Sequence, residues 1–189
     1  MITIESEPGL EPPDLSAPAL TRFLNRARTA IGLHGAVDVL LTTDRALRQL
    51  NKDFRGKNQP TDVLSFPAPT AFAKKHAGDL AISIETAARQ AKAFAHPTQD
   101  EIKILILHGL LHLAGEDHET DNGEMATREA ALRRELRLPT TLIERAKLTT
   151  TKKHITTTQR PSKTAKKPRI THKTKPYKSI KKSPTRGGK

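Results

Sequence analysis

The chain of 189 residues carries 33 Lys or Arg against 20 Asp or Glu, a formal net charge of +13, and it has no cysteine. Disulfides and thiolate metal ligands are therefore excluded, and any metal site must draw on His, Asp, Glu or water. The N-terminus MITIESEPGL lacks the basic-then-apolar order of a signal peptide, and no apolar run approaches the roughly 18 residues of a membrane span, so a soluble cytoplasmic protein is expected.

Taken in chain order, MITIE reads as a short strand and PGLEPPD as a turn-rich connection. Residues 17–33 place Leu20, Phe23, Leu24, Ala27 and Ile31 on one helical face, with Gly32 near the end. VDVLLTT follows as a strand, Asp44 is positioned to cap a helix through ALRQLNKDF, and GKNQP is a loop. TDVLSF, residues 61–66, is a strand bounded by Pro60 and Pro67; APTAFAKKHA is a loop; GDLAISI, residues 78–84, is a second strand. ETAARQAKAFA is a helix that must end before Pro97.

Thr98 and Glu101 form a T-x-x-E capping box ahead of DEIKILILHGLLHLA, a helix apolar nearly all round and hence expected at the centre of the fold. A last helix runs from about Asn122 to Leu136 and, after Pro139, resumes to Lys147. The alternation of periods predicts an α/β (α+β) domain over residues 1–147, with a small mixed β-sheet surrounded by helices.

Residues 148–189 are of another kind. From Thr149 to Lys189 there are 14 Lys or Arg and no acid, which leaves residues 1–148 with 19 basic and 20 acidic side chains. The whole basic excess lies in a Lys/Thr/Pro-rich tail with too few apolar groups to offset the entropy of ordering it, and a disordered tail is expected. Charge of a single sign suits it to RNA phosphates, and its one aromatic, Tyr177, gives stacking little part.

The informative stretch is HGLLHLAGEDH, residues 108–118. At about 100° per residue, His108 and His112 fall within roughly 40° of each other and one turn apart, so their rings share a face. A tetrahedral zinc ion with bonds of about 2.0 Å needs nitrogens only about 3.3 Å apart, which such a pair can supply. Six further helical residues would turn His118 about 240° away, so the helix must stop between them; Gly115 accepts the left-handed conformation that stops helices and lets His118 return. Three nitrogen ligands leave one tetrahedral position open, which favours catalysis over a structural ion. Nickel or copper would accept the same donors in vitro.

The spacing also fits the first half of a metzincin protease motif, H-E-x-x-H-x-x-G-x-x-H, but position 109 is Gly where that chemistry needs its Glu base. Met125, offered as a Met-turn, reads better as a core residue. Gly109 costs about 1 kcal/mol in a helix interior, so something needs the space: a close-packed neighbouring helix or an approaching substrate.

HGLLHLAGEDH closely resembles the H-G-x-L-H-L-x-G-x-D-H signature of the YbeY family, bacterial metal-dependent endoribonucleases and ribosomal RNA maturation factors. LNKDFRGKNQPTDVLSFP, residues 50–67, is similar to that family's L-N-x-x-[YF]-R and T-D-V-L-S-F-P block, GDLAIS to its G-D-I-x-I-S, and Asp121, Met125 and Glu129 fit the pattern after the histidines. The blocks keep the family order over residues 1–147, and the tail has no counterpart. By position the resemblance makes His108, His112 and His118 the ligands of one Zn²⁺ and sets Arg55 near the active site. It implies cleavage of single-stranded ribosomal RNA near the 3′ end of 16S RNA, a part in ribosome quality control, and the small ribosomal subunit and a ribosome-assembly GTPase as partners. Glu116 departs from the aromatic residue many members carry there, and adds a negative charge beside the metal.

On this reading zinc activates a water or acts as a Lewis acid, Arg55 holds the scissile phosphate, and Asp117 is a supporting or turn residue rather than the proton acceptor. Asp62 and Asp79 fit turns as well as a site, and the general base is open, as is attack by the RNA's own 2′-hydroxyl. A non-enzymatic assembly factor with a structural zinc is the alternative; the metalloprotease is the third reading.

Overall fold

The structure, a computed structural model, describes residues 1–5, 15–118 and 120–139. The connection at 8–14, the helix expected up to Lys147 and the basic tail lie outside the described residues. Among these, four strands and five helices follow in the order β1 (Ile2–Ile4), α1 (Ala17–Ile31), β2 (Ala36–Thr42), α2 (Asp44–Arg55), β3 (Val63–Pro67), β4 (His76–Ser83), α3 (Ile84–Ala93), α4 (Thr98–Leu113) and α5 (Glu124–Leu136).

The sheet runs β1-β2-β4-β3. β1 and β4 each pair parallel with β2, and β3 pairs antiparallel with β4 as an edge strand. The expected mixed sheet with surrounding helices is therefore present. β3 ends on Pro67, opposite Gly78; proline lacks a donor and is tolerated on an edge. β4 begins earlier than its apolar run, at His76, because Ala36 pairs with that residue.

Two apolar clusters hold the sheet from its two faces. Val37, Val39, Leu41, Leu80 and Ile82 point into the main core with α1 and α4. The alternate positions Leu64 and Ala81 point the other way, onto Leu47 and Leu50 of α2. Alternation along a strand produces this division directly.

α1 buries the five residues its periodicity selects, with the Ser16 hydroxyl accepting from the Ala19 N–H and Gly32 closing the helix at φ 78°. The four larger ones, Leu20, Phe23, Leu24 and Ile31, contribute about 1.5–3 kcal/mol each by leaving water. α4 is buried from Ile104 to Leu111 without interruption and packs on β3, β4, α1, α3 and α5. A helix apolar on all sides is stable only with neighbours on all sides, which is why it is central.

Two expected caps are corrected. α2 is capped by Thr43, whose hydroxyl accepts from the Ala46 N–H at 3.1 Å. Asp44 stands one residue inside, where it accepts from Thr86 at 2.6 Å and from Ser83, and pairs with Arg89 at 2.8 Å. Burial pushes its carboxyl up, but those hydrogen bonds and the guanidinium outweigh it and hold Asp44 below the usual aspartate value. At α4 the Thr98–Glu101 box does not form. Pro97 is the cap residue, no side chain caps the helix, and the carboxylate of Glu101, fully buried, pairs with His96 at 2.9 Å. A carboxylate drawn into the interior by a buried imidazole is unavailable to the backbone amide that a capping box requires.

Candidate metal centre

α4 carries His108 and His112 on adjacent turns near its C-terminal end. The helix stops where the glycine requires: Gly115 has φ +90°, its N–H donates to the His112 carbonyl at 3.0 Å, and the Glu116 N–H donates to that of Leu111 at 3.1 Å. This is the Schellman pattern. The chain reverses, Asp117 accepts backbone bonds from Thr120 and Asp121, and the His118 ring comes to 5.1 Å from His108 and 5.4 Å from His112, centre to centre.

One nitrogen of each imidazole lies within 4.8 Å of the others, with His108 buried, His112 half-buried and His118 exposed. His108 Nε2 and His112 Nε2 are 3.2 Å apart. Their other nitrogens are engaged: His108 Nδ1 with Glu129 Oε2 at 3.0 Å, and His112 Nδ1 with the Glu116 carbonyl at 2.9 Å. A carbonyl or carboxylate oxygen only accepts, so each Nδ1 carries a proton, and with both rings in the neutral form each turns a lone pair toward the other. Two lone pairs at that distance repel unless they share a cation. The separation is that of two ligands on a tetrahedral ion with bonds of about 2.0 Å, so the donor set fits Zn²⁺. Burial first, and then the neighbouring His108, hold His112 below the usual imidazole value against the opposing hydrogen bond to Glu116. A neutral ring is the form a metal binds.

α5 supplies the support for His108. Asp121 starts this helix by accepting from the Gly123 and Met125 N–H groups at 2.8 and 2.7 Å. The Met125 amide and then that of Gly123 hold its carboxyl below the ordinary range. Its inward face is Met125, Glu129, Leu132, Arg133 and Leu136. Glu129 is fully buried between His108 and Arg133, whose guanidinium lies 3.2 Å from Oε1. A Glu and an Arg at core positions of one helix are the sequence signal for this support, which the histidine spacing alone does not contain. Met125 is completely buried in the core.

Arg55 and the three histidines line one cleft of about 430 Å³, together with Thr61, Asp62, Ser65, Glu116 and Asp117. Arg55 ends α2, where Gly56 at φ 67° turns the chain. The loop beyond is fastened by the buried Asn51, whose amide donates to the Gln59 carbonyl at 2.8 Å. Asn51 is the Asn of the L-N-x-x-[YF]-R block, but the block alone assigns it no role, because its partner, the Gln59 carbonyl, is set by the path of the loop.

The remaining acids divide. Asp62 faces the cleft but accepts from the Val63 N–H at 2.9 Å and the Gln90 amide at 3.0 Å, the role of a turn residue. Asp79 lies outside the cleft, 3.1 Å from His76. With Asp38 these form a second cluster of metal-type donors among the described residues, though Asp38 is already bound to the Met1 amine at 2.6 Å. The carboxylate of Glu116 pairs with Arg128, which offsets the charge expected beside the histidines.

Gly109 is explained by a strand rather than a helix. A Cβ there would stand 2.7 Å from Leu80 Cδ2 and 3.3 Å from the Ser65 hydroxyl, which donates to the Gly109 carbonyl at 3.3 Å. The missing side chain lets α4 lie directly on β3 and β4.

Comparisons with known proteins show the family. The family model described as Endoribonuclease YbeY matches residues 14–137. A protein named Endoribonuclease YbeY from Koribacter versatilis is 51% identical over 69% of this chain and 84% of its own length. One of the same name from Solibacter usitatus is 48% identical over 71% and 88%, and one from Helicobacter pylori 36% identical over 77% and 99%. With the matched segment spanning every helix of the described fold and the histidine turn within it, this chain belongs to the YbeY endoribonuclease family.

Proposed function

We propose that this protein is a zinc-dependent, single-strand-specific endoribonuclease that matures ribosomal RNA at the 3′ end of 16S RNA and takes part in ribosome quality control. The reading is supported by family membership and by one observation above others: two imidazole Nε2 atoms 3.2 Å apart, with both Nδ1 atoms engaged by oxygen acceptors. In it, His108, His112 and His118 hold one Zn²⁺ and Arg55 binds the scissile phosphate.

When bound, zinc would supply a Lewis acid and acidify water, the means by which metals promote phosphodiester hydrolysis. Glu129 keeps His108 in the tautomer that offers Nε2, and the Glu116 carbonyl does so for His112. Arg55 lines the same cleft, where a planar guanidinium can take two phosphate oxygens and offset the charge that develops on them. Asp62 and Asp117 shape the cleft.

The catalytic unit is residues 1–147. The basic segment 148–189 neutralises phosphates without reading sequence. The small ribosomal subunit and an assembly GTPase are the expected partners, and the cytoplasm the expected location. No helix of the described residues is long and apolar enough to cross a membrane.

The test is cleavage of a labelled single-stranded ribosomal RNA fragment by zinc-loaded protein beside His112→Ala prepared identically. The wild type cuts and the folded variant does not. Equal cutting would expose a contaminating nuclease; no cutting by either, with zinc bound, would replace the enzyme by an assembly factor with a structural ion. The product ends identify the nucleophile, because attack by the 2′-hydroxyl leaves a 2′,3′-cyclic phosphate.

A further inference from the structure

β3 is the edge strand of the sheet, and among the described residues no strand covers its outer side. Its ladder to β4 fixes which backbone groups face outward. The Ser83 N–H donates to the Asp62 carbonyl at 2.9 Å and the Ala68 N–H to the Ala77 carbonyl at 3.1 Å, at the two ends of a register without a shift. In an antiparallel pair alternate residues exchange both bonds with the partner, so residues 62, 64, 66 and 68 turn their amides and carbonyls to β4. Val63, Ser65 and Pro67 turn theirs away from it.

Those three residues line the cleft shared by Arg55 and the histidines. Their donors are not equivalent. The Val63 N–H is taken by Asp62 Oδ1 at 2.9 Å, and Pro67 has no N–H. Ser65 keeps an outward N–H beside an outward carbonyl, and neither has a partner among the described residues. Its hydroxyl donates to the Gly109 carbonyl at 3.3 Å, which pins this point of the strand one residue from His108.

An N–H and C=O left open on a sheet edge form a hydrogen-bonding template, and their chemistry selects what they accept. A phosphate offers acceptors only and would be opposed by the outward carbonyls of β3. A nucleobase carries a donor and an acceptor side by side on its Watson–Crick edge, the complement of one residue's N–H and C=O. The cleft of about 430 Å³ is of ligand size, and Arg55 is the group in it suited to the phosphate.

We infer that the outer edge of β3 at Ser65 binds the Watson–Crick edge of an unpaired base, seating one nucleotide in the cleft beside the scissile phosphate. The inference rests on the endoribonuclease reading and names how that site selects its substrate. A base in a duplex has this edge occupied by its own partner, so the contact admits single strands and refuses paired ones. It favours no base strongly, because all four carry such a donor and acceptor.

The experiment uses the full zinc-loaded chain and single-stranded RNA oligonucleotides in which each position in turn carries adenosine, 1-deazaadenosine or 7-deazaadenosine. The first analogue lacks the Watson–Crick acceptor N1; the second keeps it and lacks N7 on the other edge. At one position 1-deazaadenosine lowers kcat/KM about 2- to 12-fold, the range of one net hydrogen bond, and 7-deazaadenosine does not. Ser65→Pro removes the N–H at an edge position where the ladder does not use it. Ser65→Ala, which shares the loss of the hydroxyl, is its reference. The 1-deaza penalty remains in Ser65→Ala and disappears in Ser65→Pro; the scan with the wild type decides by itself if the proline variant does not fold.

If the wild type cuts and no position discriminates, or if the penalty persists in a folded Ser65→Pro, this inference falls and the nuclease reading stands. If the wild type neither binds nor cuts single-stranded RNA, both fall. Hydrogen exchange at the Ser65 amide that slows with an extended Thr-Val repeat peptide and not with RNA would make β3 a strand-addition edge and overturn the inference.

Discussion

Glu129 Oε2 lies 3.0 Å from His108 Nδ1 while its other oxygen, Oε1, lies 3.2 Å from Arg133, so one fully buried carboxylate joins a candidate metal ligand to a buried guanidinium. These two contacts predict different consequences for different substitutions. Glu129→Gln retains the shape and removes the charge, and zinc affinity should fall about 10- to 100-fold. Competition with a chromogenic chelator measures this. Glu129→Leu removes the acceptor as well and leaves Arg133 without its carboxylate, which should cost about 3–5 kcal/mol in urea unfolding. Equal zinc affinity in Glu129→Gln would remove Glu129 from the support of the site.

Gly109→Ala sets two effects against each other. Alanine gains about 1 kcal/mol of helix propensity. The new Cβ, however, meets Leu80 Cδ2 at 2.7 Å, and Leu80 is only 1% exposed, so its side chain has no room to retreat. Overpacking of this kind costs about 1–3 kcal/mol. The variant should melt below the wild type and its α4 should lift from β4, weakening zinc binding as well. A higher melting temperature would mean that the sheet yields.

Two groups give the metal-free domain separate acid sensitivities. His112 has its pKa lowered from 6.5, by burial first, so below that value the unfolded chain takes up a proton that the folded chain resists. Stability should therefore fall as pH drops through 6.5 toward the lower folded value. Asp121 is lowered from 3.8 by amide hydrogen bonds, so its contribution is present above 3.8 and disappears as pH falls through its lower folded value. Melting curves of the apo protein across pH test both. His112→Ala should flatten the upper phase and Asp121→Asn the lower one; an unchanged upper phase in His112→Ala would assign it to another histidine.

Truncation after Lys147 removes 14 basic residues and no acid. If the segment neutralises RNA phosphates, the salt slope of binding should fall by about 0.7 log units per decade for each phosphate released by the truncation, with KM rising more than kcat falls. Filter binding across a salt series reads the slope. An unchanged slope would deny the segment a part in binding RNA.

Much of the candidate metal centre is written in local sequence, because the geometry it needs is local. Two histidines one helical turn apart share a face wherever the helix lies, and a glycine three residues after the second ends that helix by its own backbone freedom. Leu20, Phe23, Leu24, Ala27 and Ile31 are buried for the same reason: a period of about 3.6 fixes which side chains face inward before any partner is known. The family blocks extend this to Arg55.

What the chain's local pattern leaves undecided depends on partners distant in sequence. Thr98 and Glu101 satisfy the spacing of a capping box, yet the interior holds His96 where it captures the carboxylate first. Gly109 signals a close approach without naming what approaches, and only the packing of α4 on β4 identifies Leu80. Glu129 reaches His108 across 21 positions because α5 returns along α4, and Arg55 reaches the histidine cleft because β3 lies at the sheet's edge. The sequence by itself determined which side chains could bind a metal and where the helix around them had to end. The tertiary structure alone decided which carboxylate holds His108 and which guanidinium shares the histidines' cleft, since those relationships are set by the packing of elements and not by the period of any one.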